Sequence, residues 1–130
     1  MSASNTSLII RGLGSYAPSR ILTNDEISKF VDTSDEWILT RSGISERRIA
    51  AKDEACSDMA VKAAHEAIKM ANITPEDIDL LIVATMTPDT ITPSTACLVQ
   101  NKLGLRQIPS FDVGAACTGF IYILGIGVTC

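Results

Sequence analysis

Hydrophobic and polar positions fall into short blocks whose period changes along the chain. Residues 7–14 (Ser-Leu-Ile-Ile-Arg-Gly-Leu-Gly) form an apolar run that predicts a first strand, closed by the turn-forming Tyr16-Ala17-Pro18-Ser19. Asn24-Asp25-Glu26 then supplies a cap and an acidic first turn for a short helix running to Val31. Ser34-Asp35-Glu36 repeats the device for a helix over residues 36–41, which Ser42-Gly43 ends. Two small capped helices so early are foreign to a minimal strand–helix–strand unit, and they predict an insertion that builds a binding surface. Residues 45–50 predict a brief strand or extended edge.

From residue 57 the pattern becomes strongly helical. Ser57 or Asp58 opens a stretch in which Ala60, Ala63, Ala64, Ala67, Ile68 and Ala71 recur at three- and four-residue spacing. A stripe of small residues lets such a helix lie close to a neighbour. Asn72 suits its C-cap, and Thr74-Pro75-Glu76-Asp77 predicts a short turn with proline at its first position. Residues 79–86 are almost continuously apolar, the pattern of a parallel strand buried on both faces. After the polar loop 87–93, Ser94 caps a helix to Leu103, Gly104 ends it, and residues 108–113 predict the last strand. The order predicts an α/β fold with a mainly parallel sheet and flanking helices.

Composition narrows the function classes. A chain of 130 residues, 46% hydrophobic, is long enough for one core, and a net charge of −4 argues against a nucleic-acid surface. The four cysteines lack metal-type spacing, and residues 1–7 lack a basic and apolar leader, so the expectation is a cytoplasmic protein with reduced thiols and no metal. The uncharged run from Val113 to Cys130 also admits a membrane span. Glycines at 114, 119, 125 and 127 and the missing basic flank speak against it.

The candidate chemistry sits at Cys117. The apolar run ending at Val113, the small turn Gly114-Ala115-Ala116 and the following apolar segment place this thiol where a strand hands over to a helix. Free backbone N–H groups and the helix dipole favour an anion there, which predicts a nucleophilic cysteine on an elbow-like turn. The alternative is an inert small core residue, which cysteine often is in Ala/Gly-rich surroundings. His65, the one histidine, reads as a helix-surface residue.

Val31-Asp32-Thr33-Ser34-Asp35-Glu36-Trp37-Ile38, Thr40-Arg41-Ser42-Gly43-Ile44, Glu46-Arg47-Arg48, residues 79–85, Phe111-Asp112-Val113 and Ala115-Ala116-Cys117-Thr118-Gly119-Phe120 occur in this order. Together they resemble the β-ketoacyl-acyl carrier protein synthase III family over essentially the whole chain. The resemblance implies a thiolase-like fold, of which residues 1–130 are the N-terminal half, incomplete, with the C-terminal half absent. It implies an acyltransferase that starts type II fatty acid synthesis. An acyl-coenzyme A, usually acetyl, loads the cysteine, and malonyl-acyl carrier protein then decarboxylates and condenses with it.

On that resemblance Cys117 is the nucleophile, and its backbone N–H a donor to the oxyanion. Trp37 stacks on the adenine, Thr33 makes a polar contact to it, and Arg41 is a cation near the nucleotide end. Arg47 and Arg48 either add positive potential or are solvated surface arginines. Ile91 and Thr92 fall in the loop that helps close the acyl pocket across a homodimer, where Thr92 leaves room for more than acetyl. Coenzyme A enters as a substrate thioester, with no further cofactor.

The sequence also departs from the family. The histidine and asparagine of the second half have no counterpart, and His65 is on the wrong helix, so condensation by the chain alone is not expected. Other readings are a non-catalytic coenzyme A-binding or assembly module, a polyketide or hydroxymethylglutaryl-type condensing enzyme, and a cysteine hydrolase lacking its histidine partner.

Overall fold

The structure, a computed structural model, describes residues 8–129. It divides into two compact units, one of residues 17–55 and one that joins the N-terminal segment to residues 56 onward.

The 17–55 unit is built on a strand pair. β1 (Arg20–Thr23) runs antiparallel to β2 (Glu46–Ile49), with Arg20 opposite Ile49 and Thr23 opposite Glu46. Between them lie α1 (Asn24–Ile27) and α2 (Asp35–Ser42). Thr23, and not Asn24, caps α1. Its Oγ1 accepts from Glu26 N (3.2 Å), while Glu26 Oε2 accepts from Thr23 N (3.0 Å), a reciprocal capping box. The helix stops at Ile27 instead of running to Val31, and turns follow it. α2 matches the sequence expectation to within a residue. Ser34 Oγ accepts from Trp37 N (3.1 Å), and Gly43 closes the helix at φ 70, a left-handed conformation glycine adopts at no steric cost.

In the second unit, α3 (Cys56–Ala71) is followed by Asn72 at φ 53, and a 3₁₀ turn (Pro75–Asp77) leads to β3 (Leu81–Ala84). α4 (Thr95–Leu103) crosses to β4 (Ser110–Val113), which lies parallel to β3 with Leu81 opposite Ser110 and Ala84 opposite Val113. A second 3₁₀ turn (Ala116–Thr118) then feeds α5 (Gly119–Thr129). The core lies beneath α4, where Ala96, Val99 and Leu103 repeat on one helical face and are buried together with Ile108. α4 touches α3, β3 and β4, so one helix organises the unit.

Three further expectations are corrected. Residues 8–14 join no strand ladder, while Ser7 lies outside the described residues. Instead, Gly12 and Gly14 sit so close to α3 at Ala67 and Ala63 that a Cβ on either would strike the helix backbone. The segment is spent on helix contact, and Leu8, Ile9, Ile10 and Leu13 stay exposed. Secondly, β3 is not buried on both faces. Leu81, Ile82 and Val83 are half-buried and Ala84 is exposed, and among the described residues β4 is its one ladder partner. Thirdly, the parallel pair is accompanied by the antiparallel β1–β2 pair, whose pairing the sequence pattern did not suggest. Among the described residues no helix is long and apolar enough to cross a membrane.

Candidate functional site

The thiol at position 117 stands on a strained turn. β4 ends at Val113, Ala115 leaves helical geometry, and Ala116 takes φ 45, a left-handed conformation uncommon for a residue with a Cβ. The 3₁₀ turn is pinned at Ala115 O, which accepts from Thr118 N (3.1 Å) and Thr118 Oγ1 (2.7 Å). Cys117 sits at the middle of this turn as a free, exposed thiol. The next residue but one explains how α5 can start so near the sheet. A Cβ on buried Gly119 would lie 3.0 Å from Ala84 Cβ, so only glycine permits the approach without displacement.

Cys117 also lines a cavity of about 930 Å³ with a mainly apolar wall, which includes Ala63 and Ala67 of α3, Ile82 of β3 and Phe120 of α5. The small-residue stripe of α3 that the sequence revealed forms one side of it. His65, on α3, is exposed and absent from that lining.

Two carboxylates hold the surrounding helices from outside. Asp112 of β4 accepts from Thr95 N (2.7 Å) and Ala96 N (2.8 Å), and so caps α4 from the strand that leads to the thiol. Asp89, in the 87–93 loop, accepts from Ser57 N (2.9 Å) and Ser57 Oγ (2.5 Å) at the start of α3. Lys102 of α4 donates to Ser57 Oγ (2.6 Å) and pairs with Asp58 (2.6 Å). Sequence reading did not foresee these remote caps, because each carboxylate lies at least 16 residues from the amide it serves. The same loop leaves Ile91 97% exposed and Thr92 exposed beside its cis bond to Pro93. Neither lines the cavity at Cys117.

In the 17–55 unit the other candidate residues gather on α2 and just before it. Trp37 and Arg41 are one turn apart, and the guanidinium lies 4.5 Å from the indole centroid. Trp37 remains 53% exposed, so the stacked pair presents aromatic surface and positive charge together. Thr33 Oγ1 is buried and finds no hydrogen-bond partner among the described residues. An orphaned hydroxyl is costly without a ligand or water to meet it. Arg47 is half-buried and held internally, whereas Arg48 stays exposed to solvent while also making a backbone contact. Arg47 donates to Asn24 Oδ1 (2.7 Å), and Arg48 donates to Pro18 O (3.2 Å). Asn24 is the residue that sequence reasoning missed, having taken it for a helix cap.

Comparison with known proteins gives a consistent outcome. No family model matches the chain. A β-ketoacyl-[acyl-carrier-protein] synthase III of Fusobacterium nucleatum is 56% identical over 120 residues, 92% of this chain and 37% of that protein. The crystal structure of 3-oxoacyl-[acyl-carrier-protein] synthase III from Aquifex aeolicus superimposes with a TM-score of 0.86 at 54% identity, over 91% of this chain and 38% of that one. The chain matches the N-terminal portion of the β-ketoacyl-acyl carrier protein synthase III family. Its fold is correspondingly the thiolase-like α/β fold of that portion. The priming β-ketosynthase of the R1128 polyketide pathway is also similar, with a TM-score of 0.87 at 40% identity, over 92% of this chain and 36% of that one. The chain thus spans little more than a third of the length of the curated relatives it matches.

Proposed function

We propose that this chain carries the nucleophile and the nucleotide clamp of a β-ketoacyl-acyl carrier protein synthase III. The supporting observation is the exposed thiol of Cys117 on a strained strand-to-helix turn, inside a stretch more than half identical to such synthases. In this reading the Cys117 sulfur attacks the carbonyl carbon of an acyl-coenzyme A, most simply acetyl-coenzyme A. The new thioester forms on Cys117 as coenzyme A leaves with its sulfur. Malonyl-acyl carrier protein then loses carbon dioxide, and its α-carbon attacks the acyl-enzyme. That step breaks the Cys117 thioester and yields a β-ketoacyl-acyl carrier protein. A turn-borne backbone N–H at Cys117 would stabilise the tetrahedral oxyanion, a contribution of about 3 kcal/mol in comparable sites.

Trp37 and Arg41 hold the nucleotide end: the indole face stacks on adenine, and the guanidinium meets phosphate. Thr33 Oγ1 supplies its unspent hydrogen-bonding capacity to the same ligand. The reading assigns the whole protein to the cytoplasm as a homodimer, with no metal or cofactor beyond the thioester itself. Ile91 and Thr92, both exposed, would then close the acyl pocket of the neighbouring subunit. The decarboxylating histidine and asparagine have no counterpart among these 130 residues, since the sole histidine, His65, is exposed on α3. The isolated chain is therefore expected to take up an acyl group without releasing carbon dioxide from malonyl-acyl carrier protein.

The deciding experiment is intact-mass analysis after incubation with acetyl-coenzyme A. An acetyl adduct that disappears in Cys117→Ala supports the proposal. Binding of coenzyme A with no adduct would support a non-catalytic binding module instead. Likeness to the R1128 priming enzyme favours a second reading of substrate, a polyketide starter unit. A rate with longer acyl-coenzyme A exceeding that with acetyl would select it.

A further inference from the structure

α2 carries the proposed clamp, yet none of its eight residues is buried. A helix this short has little stability of its own, and here no sealed apolar face fixes its direction. Something else must aim Trp37 and Arg41. Among the described residues, the side-chain amide of Asn24, which is 1% exposed, is joined to both ends of α2. Its Nδ2 donates to Asp35 Oδ1 (2.7 Å), on the first residue of α2, and to Ile44 O (2.8 Å), just past the Gly43 cap. Its Oδ1 accepts from Arg47 Nη1 (2.7 Å) on β2. Asn24 N also donates to Ser45 O (3.3 Å). Both amide hydrogens and the amide oxygen are thus engaged, in a geometry only a carboxamide can supply.

The geometry points to Asn24 as the positioning residue of the nucleotide clamp, fixing α2 at both ends against the β1–β2 pair. This rests on the coenzyme A reading of Trp37 and Arg41 and adds the residue that sets their aim. Asn24 touches no substrate; it acts through Asp35, Ile44 and Arg47. Removing the amide leaves the Ile44 carbonyl, the Asp35 carboxylate and the Arg47 guanidinium without this partner, so α2 loses its anchor while its sequence and caps stay intact.

Trp37 is the only tryptophan, so its fluorescence reports on the clamp alone. In the full chain, quenching by coenzyme A is titrated for wild type, Asn24→Ala and Asn24→Asp, alongside the ligand-free anisotropy of Trp37 and the rate at which iodoacetamide alkylates Cys117. Affinity is expected to fall about tenfold in both variants and anisotropy to drop. Alkylation, which needs no nucleotide contact, stays within about twofold of wild type. Asn24→Asp keeps an acceptor for Arg47 but loses both donors. Combining it with Asp35→Asn restores a donor–acceptor pair of reversed polarity and should regain part of the affinity.

Unchanged affinity and anisotropy in both single variants overturn the inference. So does loss of folding in both that the combined variant does not repair, since the role would then not be confined to α2. If coenzyme A fails to quench wild-type Trp37, the nucleotide reading falls, while the anisotropy comparison still decides whether Asn24 orders the helix.

Discussion

At residue 116 the backbone pays a local cost to present its neighbour. An alanine at φ 45 stores strain of roughly 1 kcal/mol, and the thiol one position on is the group that this conformation turns outward. A β-branched residue tolerates that region worse than alanine. Ala116→Val is therefore expected to lower unfolding free energy by about 1–2 kcal/mol and to slow alkylation of Cys117, measured by urea denaturation and by iodoacetamide kinetics on the same samples. Equal alkylation rates would show that the turn does not set the presentation of the sulfur. The motif around Cys117 was legible in the sequence, but the residue carrying the strain was not. Nothing in the letters of Ala115-Ala116 distinguishes a relaxed alanine from a left-handed one.

Capping decides the outcome at the level of elements. The local caps, Ser34, Ser94 and the Thr74–Asp77 pair, could be read directly because donor and acceptor lie within one turn. The remote cap, Asp112 on α4, could not. Replacing it by alanine leaves the amides of Thr95 and Ala96 unmet beneath a buried helix start. Asp112→Ala should cost about 1–3 kcal/mol, read as a lower denaturation midpoint at unchanged slope. An unchanged midpoint would mean that other donors or water replace the carboxylate fully.

The carboxylates that cap within one turn predict a dependence on pH. The backbone N–H of Thr23 holds Glu26 below the ordinary glutamate value, helped by the Thr23 hydroxyl and by Lys29 and Arg20. Asp77 is lowered by the backbone N–H of Thr74, then by its hydroxyl and by Arg11. A carboxyl whose value is lower in the folded state stabilises the fold above its unfolded value, and that stabilisation is lost as pH falls through the folded one. Carboxyl NMR titration should place both midpoints on the acid side of free peptide values. Glu26→Gln should remove part of the acid sensitivity of α1, and identical acid unfolding of wild type and variant would contradict this.

On the scale of the whole molecule, α5 displays apolar surface to water, with Phe120, Ile121 and Tyr122 all exposed in succession. Three large apolar side chains in a row, spread around the helix and open to water, favour association. Concentration-dependent self-association is expected in sedimentation experiments, and Ile121→Lys should shift the distribution toward monomer. A monomer at every concentration would leave this surface without that consequence.

Periodicity and punctuation were enough to place the helices observed at 35–42, 56–71 and 95–103 to within about two residues, and to enclose the parallel strands at 81–84 and 110–113 in the runs 79–86 and 108–113, because helix caps and apolar runs act over a few residues. The quoted motifs, in their order, carry the expectation of a site at Cys117, Trp37 and Arg41. Tertiary structure alone decided that residues 8–14 stay outside a ladder, that Arg47 is bound internally, and that Asn24, Asp89 and Asp112 tie elements together across the chain. The physical reason is range: a hydrogen bond between residues 16 to 32 positions apart depends on how the backbone returns, and no local pattern of side chains encodes that return.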